Sequence, residues 1–245
     1  MEKMDLCELM QSRASMYNML SRAFIQEVDE KFLNELKHLR FPRNTGNEDV
    51  DAAYLSLYEY LRRTKESAID DLAVDYARTF LGAGTMEARA AYPFESVYTS
   101  EKGLLMQAAR DEVLAIYKSE GLAATLQNPF NEGEDHLALQ LMFMRDMAAR
   151  SARELETEDE SRCISSLLTQ RNFLHDHILN WALEWADDVP KYAKETFYPA
   201  FARLLTAFLR EDAVLLIELV GEDERDDAQE VENANAPSEY TEKGE

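Results

Sequence analysis

At 245 residues, 46% of them hydrophobic, the chain is long enough to bury a core without disulfides or a structural metal. Its formal charge of −22 repels phosphate backbones and anionic membranes, which excludes nucleic acid as a main ligand and makes a basic partner the expectation. Cys7 and Cys163 stand far apart without Cys-x-x-Cys or zinc spacing, as free thiols of a reducing compartment do. Neither a secretory signal nor a run of ~20 apolar residues is present, so a cytoplasmic location without membrane insertion is expected.

Leu6, Leu9, Met10, Met16, Leu20 and Phe24 recur at helical spacing and predict a first helix over residues 6–27. Phe32, Leu33, Leu36 and Leu39 predict a second over 30–39, stopped ahead of Pro42, which disfavours helical geometry in the residue before it. Tyr54, Leu57, Tyr58 and Leu61 place a third helix from Asn47 or Glu48. Leu72, Tyr76 and Phe80 place a fourth, from Ser67 or Asp70 to Gly82. Residues 82–100 lack helical periodicity yet hold Tyr92, Pro93, Phe94, Glu95 and Tyr98, either as a binding surface or as rings that pin a long connection to the core. A fifth helix is expected over 102–120, ending at Gly121.

The rest of the chain is organised around residues 128–144, where a polar stretch with Pro129 and Gly133 runs directly into Leu137, Leu141 and Met144, the stripe of a buried sixth helix reaching about Glu154. Asp135 and His136 fall in its first turn. There Glu134 or Asp135 is a helix cap, or Asp135 and His136 together bind or sense a partner; both readings stand. Leu174, Ile178, Trp181 and Trp185 share one face of a seventh helix over 162–185, with both tryptophans directed into the core, and Pro190 is expected to break the run. An eighth helix opens near Pro199 and carries Phe201, Leu204, Leu205, Phe208 and Leu209, followed by an apolar segment to Val220.

Residues 221–245 hold ten acidic and two basic residues, a net of −8, and are expected to be disordered, which leaves −14 on the body. No alternating strand pattern, internal repeat or glycine-rich linker occurs. The expected fold is therefore all-α: a single globular bundle of about eight or more helices in two closely packed halves, 1–128 and 129–220, with an acidic tail.

Catalytic chemistry finds few residues to stand on. A di-iron bundle needs two Glu-x-x-His pairs, and only Glu35 and His38 match. His175 and His177, two apart, point to different helix faces and do not readily share a metal; each is expected as a surface or satisfied core residue. Gly82-Ala-Gly84 lacks the context of a phosphate loop, and no nucleophile signature appears. No catalytic residue, metal ligand or cofactor is expected, and the chain is read as a non-enzyme.

Four motifs then come into view together. Asp75-Tyr-Ala-Arg-Thr-Phe80-Leu-Gly82, Tyr92-Pro-Phe-Glu-Ser96-Val-Tyr98, Glu132-Gly-Glu-Asp135-His136 and Phe197-Tyr-Pro-Ala-Phe, in that order and spacing, resemble the TorD/DmsD family of redox-enzyme maturation chaperones over residues 1 to about 212. The resemblance implies an all-helical cytoplasmic chaperone, monomeric or domain-swapped. Such a chaperone binds the twin-arginine leader of a molybdenum-cofactor (molybdopterin) oxidoreductase and holds the apo enzyme until its cofactor is inserted. Carried over by motif, the leader-contacting positions are Tyr76, Phe80, Ser96, Tyr98, Asp135 and His136. Gly133 departs from the family's hinge, which has proline there, and Thr79 from the usual leucine ahead of Phe80.

The implied ligand is chemically reasonable. Two guanidiniums beside an apolar stretch call for carboxylates and a groove of aromatic and aliphatic side chains, and Glu95, Glu132, Glu134 and Asp135 are the carboxylates nearest the motifs. A helical adaptor that binds a partner without reading a leader is the alternative. It needs the fold and the charge but not the motifs.

Overall fold

The computed structural model describes residues 3–86, 89–122 and 132–221, and among these it contains ten α-helices, one π-helical turn and no strand. The expected all-α class is what the chain adopts. In order the helices are α1 (Lys3–Ile25), α2 (Glu30–His38), α3 (Glu48–Arg62), α4 (Ala68–Leu81), α5 (Glu95–Thr99), α6 (Ala108–Ser119), α7 (Leu137–Glu156), α8 (Glu160–Phe173), α9 (Ala182–Tyr192) and α10 (Phe197–Val220). The start of the expected hinge, residues 128–131, and the tail beyond Gly221 lie outside the described residues.

Local chemistry sets most boundaries. Asp29 accepts from the Phe32 amide and Asn47 from the Asp49 and Val50 amides, so α2 and α3 begin on side-chain caps that satisfy their first free N–H groups. Gly82 closes α4 in the left-handed conformation at φ 72°, where a Cβ would be strained.

Four expectations need correction. The fifth helix, α6, starts at Ala108 and not at Lys102, because Gly103 and Met106 take positive φ values that an α-helix does not admit. The aromatic stretch contains one short helix, α5. The seventh predicted helix is broken: α8 passes into a π-helical turn over Leu174–Leu179, and the chain leaves helical geometry at Trp181 (φ −149°) before α9 starts. Leu174, Ile178, Trp181 and Trp185 are nonetheless all buried, since the break re-aims the backbone without moving their common face away from the core. Pro190 lies inside α9, which continues to Tyr192. It costs α9 the hydrogen bond to the carbonyl four residues back, and the helix ends two residues beyond it.

The core is continuous. α1 lies along α7, α10 packs on α3, and one apolar cluster runs from Met10 to Leu216 through both sequence halves. At its centre the Arg13 guanidinium donates to both Asp212 oxygens at 2.5 and 2.9 Å and to Gln170 at 2.8 Å, and the Tyr17 hydroxyl donates to Asp212 at 2.6 Å. Gln170 donates in turn to Ser151. Burial first, and the Asp212 carboxylate beside it, hold the Tyr17 phenol well above its ordinary pKa, so it stays a donor. This network ties α1, α7, α8 and α10 in fixed register, because a buried charge tolerates no slippage away from its partner. Cys7 and Cys163 are free thiols.

Candidate functional site

The second and third motifs meet at the joint between α5 and the start of α7. Main-chain bonds fasten it first. The Leu137 amide donates to the Pro93 carbonyl at 2.8 Å and the Glu95 amide to the Asp135 carbonyl at 3.1 Å, flanking an isolated antiparallel bridge between Phe94 and His136. The segment before Phe94 is held too: Ala91 donates to Thr79 at the end of α4 and accepts from the Trp185 indole at 3.0 Å.

Side chains then lock the joint. One oxygen of Asp135 accepts from the Ser96 amide at 3.0 Å and from the Ser96 hydroxyl at 2.5 Å, and the same hydroxyl accepts from the Gln107 amide. The other oxygen is buried without a hydrogen-bond partner. Gly133 sits over it, and a Cβ there would lie 3.0 Å from that oxygen and 3.5 Å from the Phe94 ring. Close approach is what this glycine provides.

The cap of α7 is His136, not Glu134 or Asp135 as expected. Its Nδ1 accepts from the Ala138 amide at 3.0 Å, so the proton of the neutral ring is on Nε2, and its ring meets Phe94 edge-on at 4.9 Å. Burial pushes its pKa down to about 3, because a charged imidazolium here would lose both its hydration and its role as acceptor.

Glu95 is almost fully buried and is held from three sides. Gln140 of α7 donates to it at 2.6 Å, Asn180 at 3.1 Å and His177 at 3.2 Å. The last two come from the π-helical turn and its end, a geometry often found where a helix must present side chains out of normal phase. His175, by contrast, is exposed and bonded to Asp176.

The remaining predicted residues divide by exposure. Phe80 stacks on Trp185 at 5.8 Å, and the Tyr76 hydroxyl donates to the Phe24 carbonyl, its pKa raised by burial; both belong to the core. Half-buried Tyr98 donates to Asp188 at 3.1 Å, with its ring against Trp181. Glu134 pairs with Arg110 at 2.5 Å, and Glu132 is half-buried, with its carboxyl pKa raised by burial. Tyr98, Glu132 and Glu134 are therefore the predicted residues that reach the surface, whereas Tyr76, Phe80, Glu95, Ser96, Asp135 and His136 lie beneath it.

The first and last motifs prove to be sutures of the same kind. Asp75 accepts from the Lys194 and Glu195 amides at 2.7 and 3.1 Å and so fixes the turn into α10, and Tyr198 returns a bond to the Leu72 carbonyl. Sequence reasoning missed Gln140, His177, Asn180 and Arg110 as members of the site. Gln140 did carry a signal: a polar residue in an otherwise apolar buried run needs a buried partner.

Among the described residues no group of three or more histidine, cysteine, aspartate or glutamate side chains could hold a metal ion. The family described as "Nitrate reductase delta subunit" matches residues 44–187. Chaperone protein TorD of Vibrio cholerae serotype O1 is 30% identical over 224 residues, covering 89% of this chain and 98% of the relative. TorD of Vibrio parahaemolyticus is 28% identical over 84% of this chain and 95% of the relative, and TorD of Shewanella piezotolerans 28% over 82% and 91%. The chain belongs to the TorD family of redox-enzyme maturation chaperones, which are not enzymes. Among the described residues no helix is long and apolar enough to cross a membrane.

Proposed function

We propose that this chaperone works in the cytoplasm, binds the twin-arginine leader of a molybdenum-cofactor oxidoreductase and holds that enzyme until its cofactor is inserted. The observation that supports the reading is the fastening of the second and third family motifs to each other at one joint, in a protein whose charge favours a basic ligand. Within that joint, Glu134 and Glu132 take the leader's guanidiniums and Tyr98 borders its apolar stretch. Arg110 already sits on Glu134 as a leader arginine would, and exchanging one guanidinium for another leaves the charge balance of the site intact. Ser96, Asp135, His136 and Glu95 give the joint its shape, while Phe80 and Tyr76 support it from the core. Direct contact with these six requires the joint to open.

The test is binding of a synthetic peptide with two adjacent arginines followed by leucines and alanines, compared with the same peptide carrying glutamines in place of the arginines. The arginine peptide is expected to bind more tightly, with the difference shrinking as salt screens the charges. Equal affinity at low ionic strength would show that the apolar stretch alone is read, and no binding of either would leave the adaptor function.

A further inference from the structure

Arg110, in the first turn of α6, reaches across to Glu134 with a single hydrogen bond, from Nε to one carboxylate oxygen at 2.5 Å, while its Nη1 lies 3.9 Å from the neighbouring Asp111. It thus offers Glu134 one donor, not the two parallel bonds that a guanidinium free to turn can place on a carboxylate. The two side chains are 33% and 28% exposed, so water reaches both and either can change partner. The backbone of Glu134 cannot follow a departing Arg110. The Tyr117 hydroxyl donates to the Glu134 carbonyl at 3.2 Å, and the next residue, Asp135, is fastened to Glu95 and Ser96. Nor does α6 depend on the ion pair for its place: Tyr117 is buried against Phe143 and Phe173, and the Gln107 amide donates to the Ser96 hydroxyl just ahead of the helix.

We propose that Arg110 is a specificity-determining residue: an internal guanidinium that keeps Glu134 closed to any cation that gains nothing by displacing it. The inference rests on the reading of Glu134 as a leader contact and names what regulates that contact. Displacement exchanges one positive charge for another at the same carboxylate, so the Coulomb attraction that would favour every basic segment cancels. What remains is hydrogen-bond geometry. An arginine that lays two donors on Glu134 replaces one charge-assisted bond with two, whereas a lysine ammonium replaces one bond with one. The displaced Arg110 stays beside Asp111 and in water, so its release carries no burial penalty. In a chain of formal charge −22 the long-range field draws all cationic segments alike, and this cancellation keeps lysine-rich ones from competing for the site.

The probes are three fluorescein-labelled peptides that share a stretch of leucines and alanines and differ only in the pair ahead of it: two arginines, two lysines or two glutamines. Each is titrated into the full chain and followed by anisotropy at physiological salt, where the long-range field is screened within about 8 Å. The native protein is expected to bind the arginine peptide about tenfold more tightly than the other two, which bind nearly alike. Arg110→Gln, which keeps a good helix former, is expected to lift the lysine peptide about tenfold above the glutamine peptide and to tighten the arginine peptide as well. Arg110→Lys puts a cation back on Glu134 and should return the lysine peptide to the level of the glutamine peptide. Arg62→Gln, which makes the same change of net charge at an exposed position of α3, should move each affinity less than about twofold. Circular dichroism checks the fold of each variant. A lysine advantage of one size in the native protein and in Arg110→Gln would overturn the inference, as would weaker binding of all three peptides by Arg110→Gln, which would make Arg110 a brace. An arginine advantage over glutamine that Arg110→Gln leaves unchanged overturns this inference alone. Equal binding of the three peptides by every variant overturns the leader reading and this inference with it.

Discussion

Ser96 grips Asp135 with two donors on a single carboxylate oxygen, its amide at 3.0 Å and its hydroxyl at 2.5 Å, and leaves the other oxygen buried and unpaired beneath Gly133. The aspartate is thus oriented rather than neutralised. Ser96→Ala removes one donor to a buried carboxylate and is expected to cost about 1.5–3 kcal/mol in urea unfolding. Asp135→Asn keeps an oxygen for both donors but removes the charge that strengthens their bonds, and the double variant should cost less than the sum of the singles, because both changes weaken the same interaction. Additive effects would show that the two residues act separately.

His136 gives the fold a pH dependence of definite sign. Its folded-state pKa is depressed to about 3, against about 6.5 when unfolded, so its contribution is complete above pH 6.5 and declines as the pH falls towards 3. His136→Asn retains a capping oxygen but does not titrate. Between pH 6.5 and 5 the native protein should lose about 2 kcal/mol relative to this variant, at ~1.4 kcal/mol per pH unit. Parallel stability profiles for the two proteins would mean that the imidazole is protonated in the fold after all.

The Arg13–Asp212 pair should behave asymmetrically. Arg13→Met strands a buried carboxylate and is expected to lower stability by about 3–5 kcal/mol, whereas Arg13→Met with Asp212→Leu removes both charges and should recover most of the loss. Denaturant midpoints of the two variants decide it. If the double variant is as unstable as the single, it is the geometry of Tyr17 and Gln170, not the stranded charge, that matters.

What was legible in the sequence follows from the range of each signal. The stripes of α1, α2, α3 and α7 are local and periodic, and the spacing picked out buried residues such as Met10, Leu36, Leu57 and Met144, although Leu39 and Tyr58 of the same stripes are exposed and Arg13 and Tyr17 are buried without having been picked. Gly82 and Gly121 close helices because the left-handed turn is a property of one residue. The environment of Glu95 was not legible, since its three donors lie 45 to 85 residues away and only the fold brings them together. Periodicity also could not reveal the π-helical turn, because Leu174, Ile178, Trp181 and Trp185 keep an unbroken pattern while the backbone beneath them changes pitch. The joint was legible, but the cap within it was assigned to Glu134 or Asp135, whereas His136 provides it as a buried neutral acceptor.

The primary attachments of the aromatic segment, from Pro93 to Leu137, Glu95 to Asp135 and Ala91 to Thr79, run through peptide groups. Backbone bonds of this kind are indifferent to residue type. The exposed Thr99 of the strap is thereby open to replacement without its coming unfastened, whereas Tyr98 adds a side-chain bond of its own to Asp188. A substitution at an exposed position of the strap would change the surface it offers and leave the anchorage beneath intact.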